Sequence, residues 1–241
     1  MKNTQKQLCI LLLFLSTVPS FSQQHEAINT DRPDQSDGTY TVPKNSLQVE
    51  NGFTIADKTY MYNLMLRYGI SNSTEIRLLG DVGSEFGAKG IAPVSVSIKQ
   101  RLLREQTAYK FIPEITFVAY ASYEKIASSD FASNTFSTEY KLVFENKLSE
   151  QIGVGYNIGT DKEFEDLNLT TAFTYEPSET LLFYLEYFGT LSNEEDEHNI
   201  DAGVMYKINP LLQVDFALGR DIDAGNARLF GTFGISYRFD S

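Results

Sequence analysis

Residues 227–239 read Ala227-Arg228-Leu229-Phe230-Gly231-Thr232-Phe233-Gly234-Ile235-Ser236-Tyr237-Arg238-Phe239. Odd positions are mostly apolar, and even positions are polar or small except Phe230. A period of two is a strand with one greasy face and one wet face. The strand ends on an aromatic residue two positions from the carboxyl terminus, as the terminal strand of an outer-membrane β-barrel does. The same period, followed back through the chain, decides the fold.

Alternation starts at Ser46. Leu47, Val49, Phe53 and Ile55 oppose Gln48, Glu50, Gly52 and Thr54. Further alternating runs follow near 60–69, 75–82, 94–99, 111–121, 136–145, 152–159, 167–175, 180–190, 200–207 and 212–219. In 111–121 the facing is ambiguous and in 180–190 both faces are apolar, and Glu114 and Glu186 point to even positions facing inward. With the closing stretch the strands number twelve, and an even number suits a barrel whose two termini share the periplasmic side.

The connections agree with this count. Short turns at 70–73, 147–150, 176–179 and 209–210 follow even strands. Longer, mostly acidic connections at 83–90, 122–133, 160–166, 191–198 and 220–226 follow odd ones. Short periplasmic turns and long external loops are the membrane-barrel asymmetry. Two connections fit less well: 56–59 is short for an external loop and 103–110 long for a turn. Tyr68, Phe144, Tyr175, Tyr206 and Phe239 fall at the periplasmic ends of even strands, where they form one aromatic girdle. A secreted β-sandwich also alternates, but it accounts for neither the loop parity nor the girdle. The reading is an all-β, single up-and-down antiparallel transmembrane barrel of about twelve strands, covering residues 46–241, in the outer membrane of a diderm (Gram-negative) bacterium.

Residues 1–22 read as a signal peptide: Lys2 and Lys6, an apolar core from Leu8 to Leu15, then Ser20-Phe21-Ser22. Cys9, the chain's one cysteine, lies inside it, ahead of the place of a lipoprotein cysteine. The remainder would hold neither disulfide nor thiolate metal site. The leader carries two of the 20 basic residues and none of the 32 acidic ones, leaving −14 on the rest. That charge repels nucleic-acid phosphates, and no nucleic-acid motif appears. Residues 23–45 form a polar arm in which Pro and Gly break every period. Asp31, Arg32, Asp34 and Asp37 alternate charge along it. The arm is a solvated periplasmic tether, or a segment that enters the lumen and narrows it by pairing Asp31, Arg32 and Asp34 with inward charges.

The period also assigns the lumen. Inward carboxylates are Glu50, Glu75, Asp81, Glu139, Glu186, Asp201 and Asp215. Inward cations are Arg67, Arg77, Lys99, Lys141, Lys207, Arg228 and Arg238. So balanced a set either braces the wall with ion pairs or lines a polar path. Tyr120, Tyr184 and Phe188 also point inward or pack beneath an external loop. A twelve-stranded barrel lies between the filled eight-stranded kind and the open channels of sixteen or more.

Enzyme chemistry finds little support. His25 lies in the arm and His198 ends the acidic loop Asn193-Glu194-Glu195-Asp196-Glu197, both read as solvated. No nucleophile elbow, phosphate loop, cofactor motif or metal signature is present, and the acidic loop lacks calcium-loop spacing. No catalytic residue, cofactor or metal is expected. The expected partners are outer-membrane lipid, the barrel assembly machinery and a small-molecule solute.

Thr30-Asp31-Arg32-Pro33-Asp34-Gln35, then Val42-Pro43-Lys44-Asn45-Ser46-Leu47-Gln48-Val49-Glu50-Asn51-Gly52-Phe53, resembles the opening of an outer-membrane transporter family named for the meta-cleavage pathway of phenol degradation. Tyr68-Gly69-Ile70-Ser71, Asp201-Ala202-Gly203, Asn209-Pro210 and the closing Gly234-Ile235-Ser236-Tyr237-Arg238-Phe239 are similar too. The resemblance implies an outer-membrane channel for small, aromatic or hydrophobic molecules. The other reading is a plugged structural barrel whose acidic loops meet surface partners.

Overall fold

The computed structural model describes residues 26–104, 111–132, 136–161, 164–193, 195–222 and 228–240. The expected signal peptide, His25, Glu194 and Ala227 lie outside them. Among the described residues the first seven strands are β1 (Leu47–Ala56), β2 (Thr59–Ser71), β3 (Thr74–Glu85), β4 (Ala88–Ile91), β5 (Ser95–Leu103), β6 (Glu114–Tyr123) and β7 (Phe136–Lys147). Then come β8 (Ile152–Asp161), β9 (Asp166–Ser178), β10 (Leu181–Leu191), β11 (Glu197–Asn209), β12 (Leu212–Asp221) and β13 (Leu229–Phe239). Every pairing is antiparallel. β1 pairs with both β2 and β13, and β2 with β3, so the sheet closes on itself. Twelve strands make the ring and β4 lies outside that count. Closure leaves the twelve-stranded ring without a free edge, the condition for a sheet to cross lipid.

The thirteenth strand corrects the loop expected at 83–90. β3 runs on to Glu85, and Phe86 (φ 47°) and Gly87 (φ 99°) turn the chain into β4. Two left-handed residues make the tight turn that suits a hairpin's twist. β4 and β5 occupy successive stretches of the same edge of β3, opposite Val82–Glu85 and Thr74–Leu79. Pro93, which has no N–H to give a ladder, falls in the break between them. Pro113 likewise delays β6 to Glu114, where alternation alone suggests a start near Phe111. Other loops are shorter than expected because the strands extend into them: β8 to Asp161, β10 to Leu191, and β11 back to Glu197.

Leu47 pairs with Phe239 and Tyr68, so the first and last strands of the ring meet at one rim. Phe144, Tyr175 and Tyr206 pair with Ile115, Ile152 and Leu181, strand starts at the same rim. All five girdle aromatics therefore share it.

Burial is inverted relative to a water-soluble protein. Leu185, Leu218, Phe233, Phe216 and Val96 are among many large apolar side chains left exposed on the outside. Gln48, Glu50, Arg67, Glu75 and Lys99 have no exposed surface at all. Charged residues are rarely so buried unless paired, and an apolar band around a polar interior is the arrangement a bilayer requires.

Candidate functional site

The interior is built by strand parity. Even residues of β1, β6, β9, β10 and β13 face inward, as do odd residues of β2, β3, β5, β7, β8, β11 and β12. Nine of the fourteen expected lumen residues are buried: Glu50, Arg67, Glu75, Arg77, Lys99, Glu186, Asp201, Asp215 and Arg238. Asp81, Glu139, Lys141 and Lys207 are half-buried. Arg228 is the exception. It precedes β13, is exposed, and pairs with Asp221 at 3.2 Å, because the strand begins at Leu229, two residues later than the alternation suggests.

Wall charges do pair with one another. Arg67 lies 2.7 Å from Glu50 and 2.9 Å from Glu75, and Lys141 lies 3.0 Å from Glu139. The larger share of polar contacts runs to the segment before β1. Ile28 N donates to Pro210 O at 2.7 Å beside the β11–β12 turn, and Gln213 Nε2 to Thr30 Oγ1 at 2.6 Å. Asp31 then meets Lys99 (2.8 Å), Arg77 (2.9 Å) and Arg67 (3.2 Å). Arg32 turns the other way, donating to Thr232 Oγ1 at 2.7 Å and pairing with Asp215 at 3.4 Å. Its guanidinium fills the space that side chains at Gly52 and Gly234 would occupy. Those two glycines pair across β1 and β13, five residues inside the rim. At ~3.3 Å per residue and ~40° of tilt, that is about 12 Å deep.

Beyond Arg32 the backbone N–H groups of Gln35 and Ser36 donate to Glu186 at 2.8 and 2.9 Å, as does the Ser36 hydroxyl. Asp37 accepts from Arg77 (2.6 Å), Tyr120 (2.8 and 2.9 Å) and Lys141 (3.2 Å). Asn157 takes and gives one hydrogen bond each with the Asp37 backbone. Thr39 donates to Glu114 and Glu145, and Val42 N to Glu75 at 2.6 Å, before the chain joins β1. Asp34 is half-buried and has no ion pair among the described residues.

The electrostatics follow from these neighbours. Burial alone would raise the Asp31 carboxyl, but Arg67 and Lys99 overcome it and hold the group below its usual range. Asp37, buried likewise, is held well below by Arg77 and Lys141. Asp34 goes the other way: burial, and then the field of Glu186, raise it well above. One stretch of seven residues thus holds two firmly ionised carboxylates and one that resists ionisation.

Sequence reasoning missed Gln48, Glu114, Glu145, Asn157, Gln213 and Thr232 as partners of this segment. Each lies on an inward parity, which is the signal that finds them. Which inward groups a non-periodic segment reaches is fixed only by its path. Beside the segment lies a cavity of about 260 Å³, lined by Asp34, Gly38, Glu114, Glu145, Lys207 and Gln213 among others, and bordered at the rim by the β7–β8 turn.

The model of the family described as "Putative MetA-pathway of phenol degradation" matches residues 30–239. No curated protein matches the chain in sequence. Among solved structures, a KdgM porin in complex with disordered oligogalacturonate aligns with TM-score 0.63 at 10% identity, covering 80% of this chain and 99% of that one. The COG4313 outer membrane channel from Pseudomonas putida F1 aligns with TM-score 0.61 at 10% identity, covering 86% and 100%. The NanC porin aligns with TM-score 0.58 at 10% identity, covering 79% and 98%. At that identity the likeness speaks for the fold, a closed barrel of the outer-membrane porin type. The family match takes in all twelve strands of the ring together with the buried segment from Thr30 onward, and the chain belongs to the family described as "Putative MetA-pathway of phenol degradation".

Proposed function

We propose that this barrel is a passive outer-membrane channel for small, aromatic or hydrophobic solutes, with residues 23–45 serving as an arm that closes its periplasmic mouth. One observation carries the reading. The lumen is filled in large part by a segment outside the sheet, whereas a barrel built only as a structural post fills with its own wall side chains, as eight-stranded barrels do. The wall therefore encloses space of molecular width, and what occupies it is joined to the sheet by the chain itself at Ser46 and by hydrogen bonds and ion pairs elsewhere. The apolar exterior supports a wall set in lipid, and the shared rim of the first and last strands supports a periplasmic position for both termini. The porins and channels of like fold, and the family's name, support passage rather than catalysis. The assembly machinery of the outer membrane is the partner that such a barrel needs for insertion.

A second reading keeps the barrel permanently plugged, as a surface structure. It is favoured by the density of ion pairs to Asp31 and Asp37. Liposome permeation separates the two, comparing the intact protein with one lacking Gln23 to Gly38 for small neutral and aromatic solutes. A channel closed by the arm passes more, or larger, solutes once trimmed. If neither form is permeable the transport reading falls, and if both conduct equally the arm closes nothing.

A further inference from the structure

The two arm carboxylates reach the wall at one place. Asp31 and Asp37 both bond to Nη1 of Arg77, at 2.9 and 2.6 Å. Lys99 holds both oxygens of Asp31, at 2.8 and 2.9 Å. Lys141 and the Tyr120 hydroxyl hold Asp37, and the cations of Arg77 and Lys141 lie 4.9 and 5.2 Å from the Tyr120 ring centre.

The wall does not neutralise these groups by itself. Arg67 has Glu50 and Glu75 as close partners, and Lys141 has Glu139. Arg77 has no wall carboxylate nearer than Glu75 at 3.9 Å, and Lys99 makes its ion pair, among the described residues, with Asp31. Both are at least 97% buried, and Nη2 of Arg77 is buried without a hydrogen-bond partner. A buried cation without its counter-ion is costly. When the arm withdraws, the wall is left with a guanidinium, an ammonium and a phenol placed to receive two carboxylates.

We propose that Arg77, Lys99, Lys141 and Tyr120 form a binding site for a small dicarboxylate solute, which Asp31 and Asp37 occupy in its place while the arm is docked. The site rests on the channel reading, since a solute reaches it only through an opened lumen. The ligand class follows from the geometry. Two carboxylates converge on one guanidinium nitrogen, so a solute must carry both close together, as adjacent acids on an aromatic ring do. The unpartnered Nη2 offers one donor more than the arm uses. Fork-shaped donors favour carboxylates over neutral groups of like shape.

The test uses the full chain in detergent with Asp31→Asn and Asp37→Asn together, titrated calorimetrically with benzene-1,2-dicarboxylate and, as a neutral control, its dimethyl ester. Asn matches Asp in size but supplies no counter-ion, so the arm loses its hold on Arg77, Lys99 and Lys141. Dicarboxylate affinity should rise about tenfold or more over the unsubstituted protein, as focused charge in a cleft allows. The ester should show no rise, and adding Arg77→Gln and Lys99→Gln should cancel the gain. Folding is checked by the faster migration of the unboiled barrel on a gel, and Asp37→Asn alone, held to the same criterion, replaces the pair if the pair does not fold. No gain in dicarboxylate binding by a folded variant overturns the site. Flux of the same solutes into liposomes keeps the two ideas apart. Binding without flux of any solute supports the site and sinks the channel, whereas flux of neutral solutes without a binding gain sinks the site and leaves the channel.

Discussion

Arg32 shows how one residue ties the arm to the wall. Its side chain reaches Asp215, whose carboxylate is fully buried, and Thr232 on the neighbouring strand. Gly52 and Gly234 form a notch with no side chain of their own, and the guanidinium lies in it. Arg32→Ala leaves the Asp215 charge without its partner. Breaking such a pair costs about 3 kcal/mol or more, here borne by arm docking rather than by the barrel. Amide hydrogen exchange at Ser36 and Asp37 should quicken roughly a hundredfold, since ~1.4 kcal/mol is a factor of ten. Arg32→Lys keeps the charge, loses the fork and costs only about 1 kcal/mol. Unchanged exchange in Arg32→Ala would remove Arg32 from the latch. The sequence offers Asp215 only as one of seven inward carboxylates and does not single out Thr232. Charge alternation along 31–37 marks the segment as one that can pair, but Asp215 and Thr232 lie some 200 positions away and only the closed sheet brings them within reach.

Strands were far more legible, because each carries its own signal. A residue's face follows from parity alone, and one ladder fixes the facing of the next. That is how the ambiguous stretches now seen as β6 and β10 were resolved from a single glutamate each: Thr116 and Val118 are fully buried, as are Tyr184 and Glu186 nearly so. What parity does not give is where a strand stops. The β3–β4 hairpin hides in Ser84-Glu85-Phe86-Gly87, whose polar and glycine content resembles a loop, and its turn depends on two left-handed residues. Depth can be tested on one strand. Leu185 lies near the middle of β10 and is 58% exposed, while Leu191, on the same face, ends the strand. Leu185→Arg should destabilise the barrel by ~2–4 kcal/mol and Leu191→Arg by ~0–1 kcal/mol, as read by denaturant titration in lipid vesicles. Similar costs at both positions would mean that the outer face of β10 does not meet a bilayer core.

At the scale of the molecule, the question is whether the arm moves. Both ends of the buried segment are tied at one rim: Ile28 to Pro210, and Asn45 N to Gly69 O at 2.8 Å, with a bridge between Lys44 and Gly69. The downstream end is continuous with β1, so withdrawal has to begin at the upstream end and undo Asp31, Arg32 and Ser36 before Asp37. The contact of Ser36 with Thr170, Oγ to Oγ1 at 2.7 Å, lies midway along that path and joins the arm to β9. The 2.7 Å contact between the two hydroxyls makes this pair the choice for a cysteine cross-link, and Cys9 of the expected leader is the chain's one native cysteine. The Ser36→Cys, Thr170→Cys protein, oxidised and reconstituted in liposomes, should exclude small neutral and aromatic solutes. Dithiothreitol should restore their entry in the same vesicles, because reduction breaks the one covalent link between the arm and β9. Comparing one protein in two redox states removes any effect of losing the Ser36 hydroxyl. Equal entry before and after reduction would show that solutes pass the docked arm. Exclusion in both states, with the reduced thiols verified by labelling, would show that the arm stays in place and that the barrel serves as a plugged post.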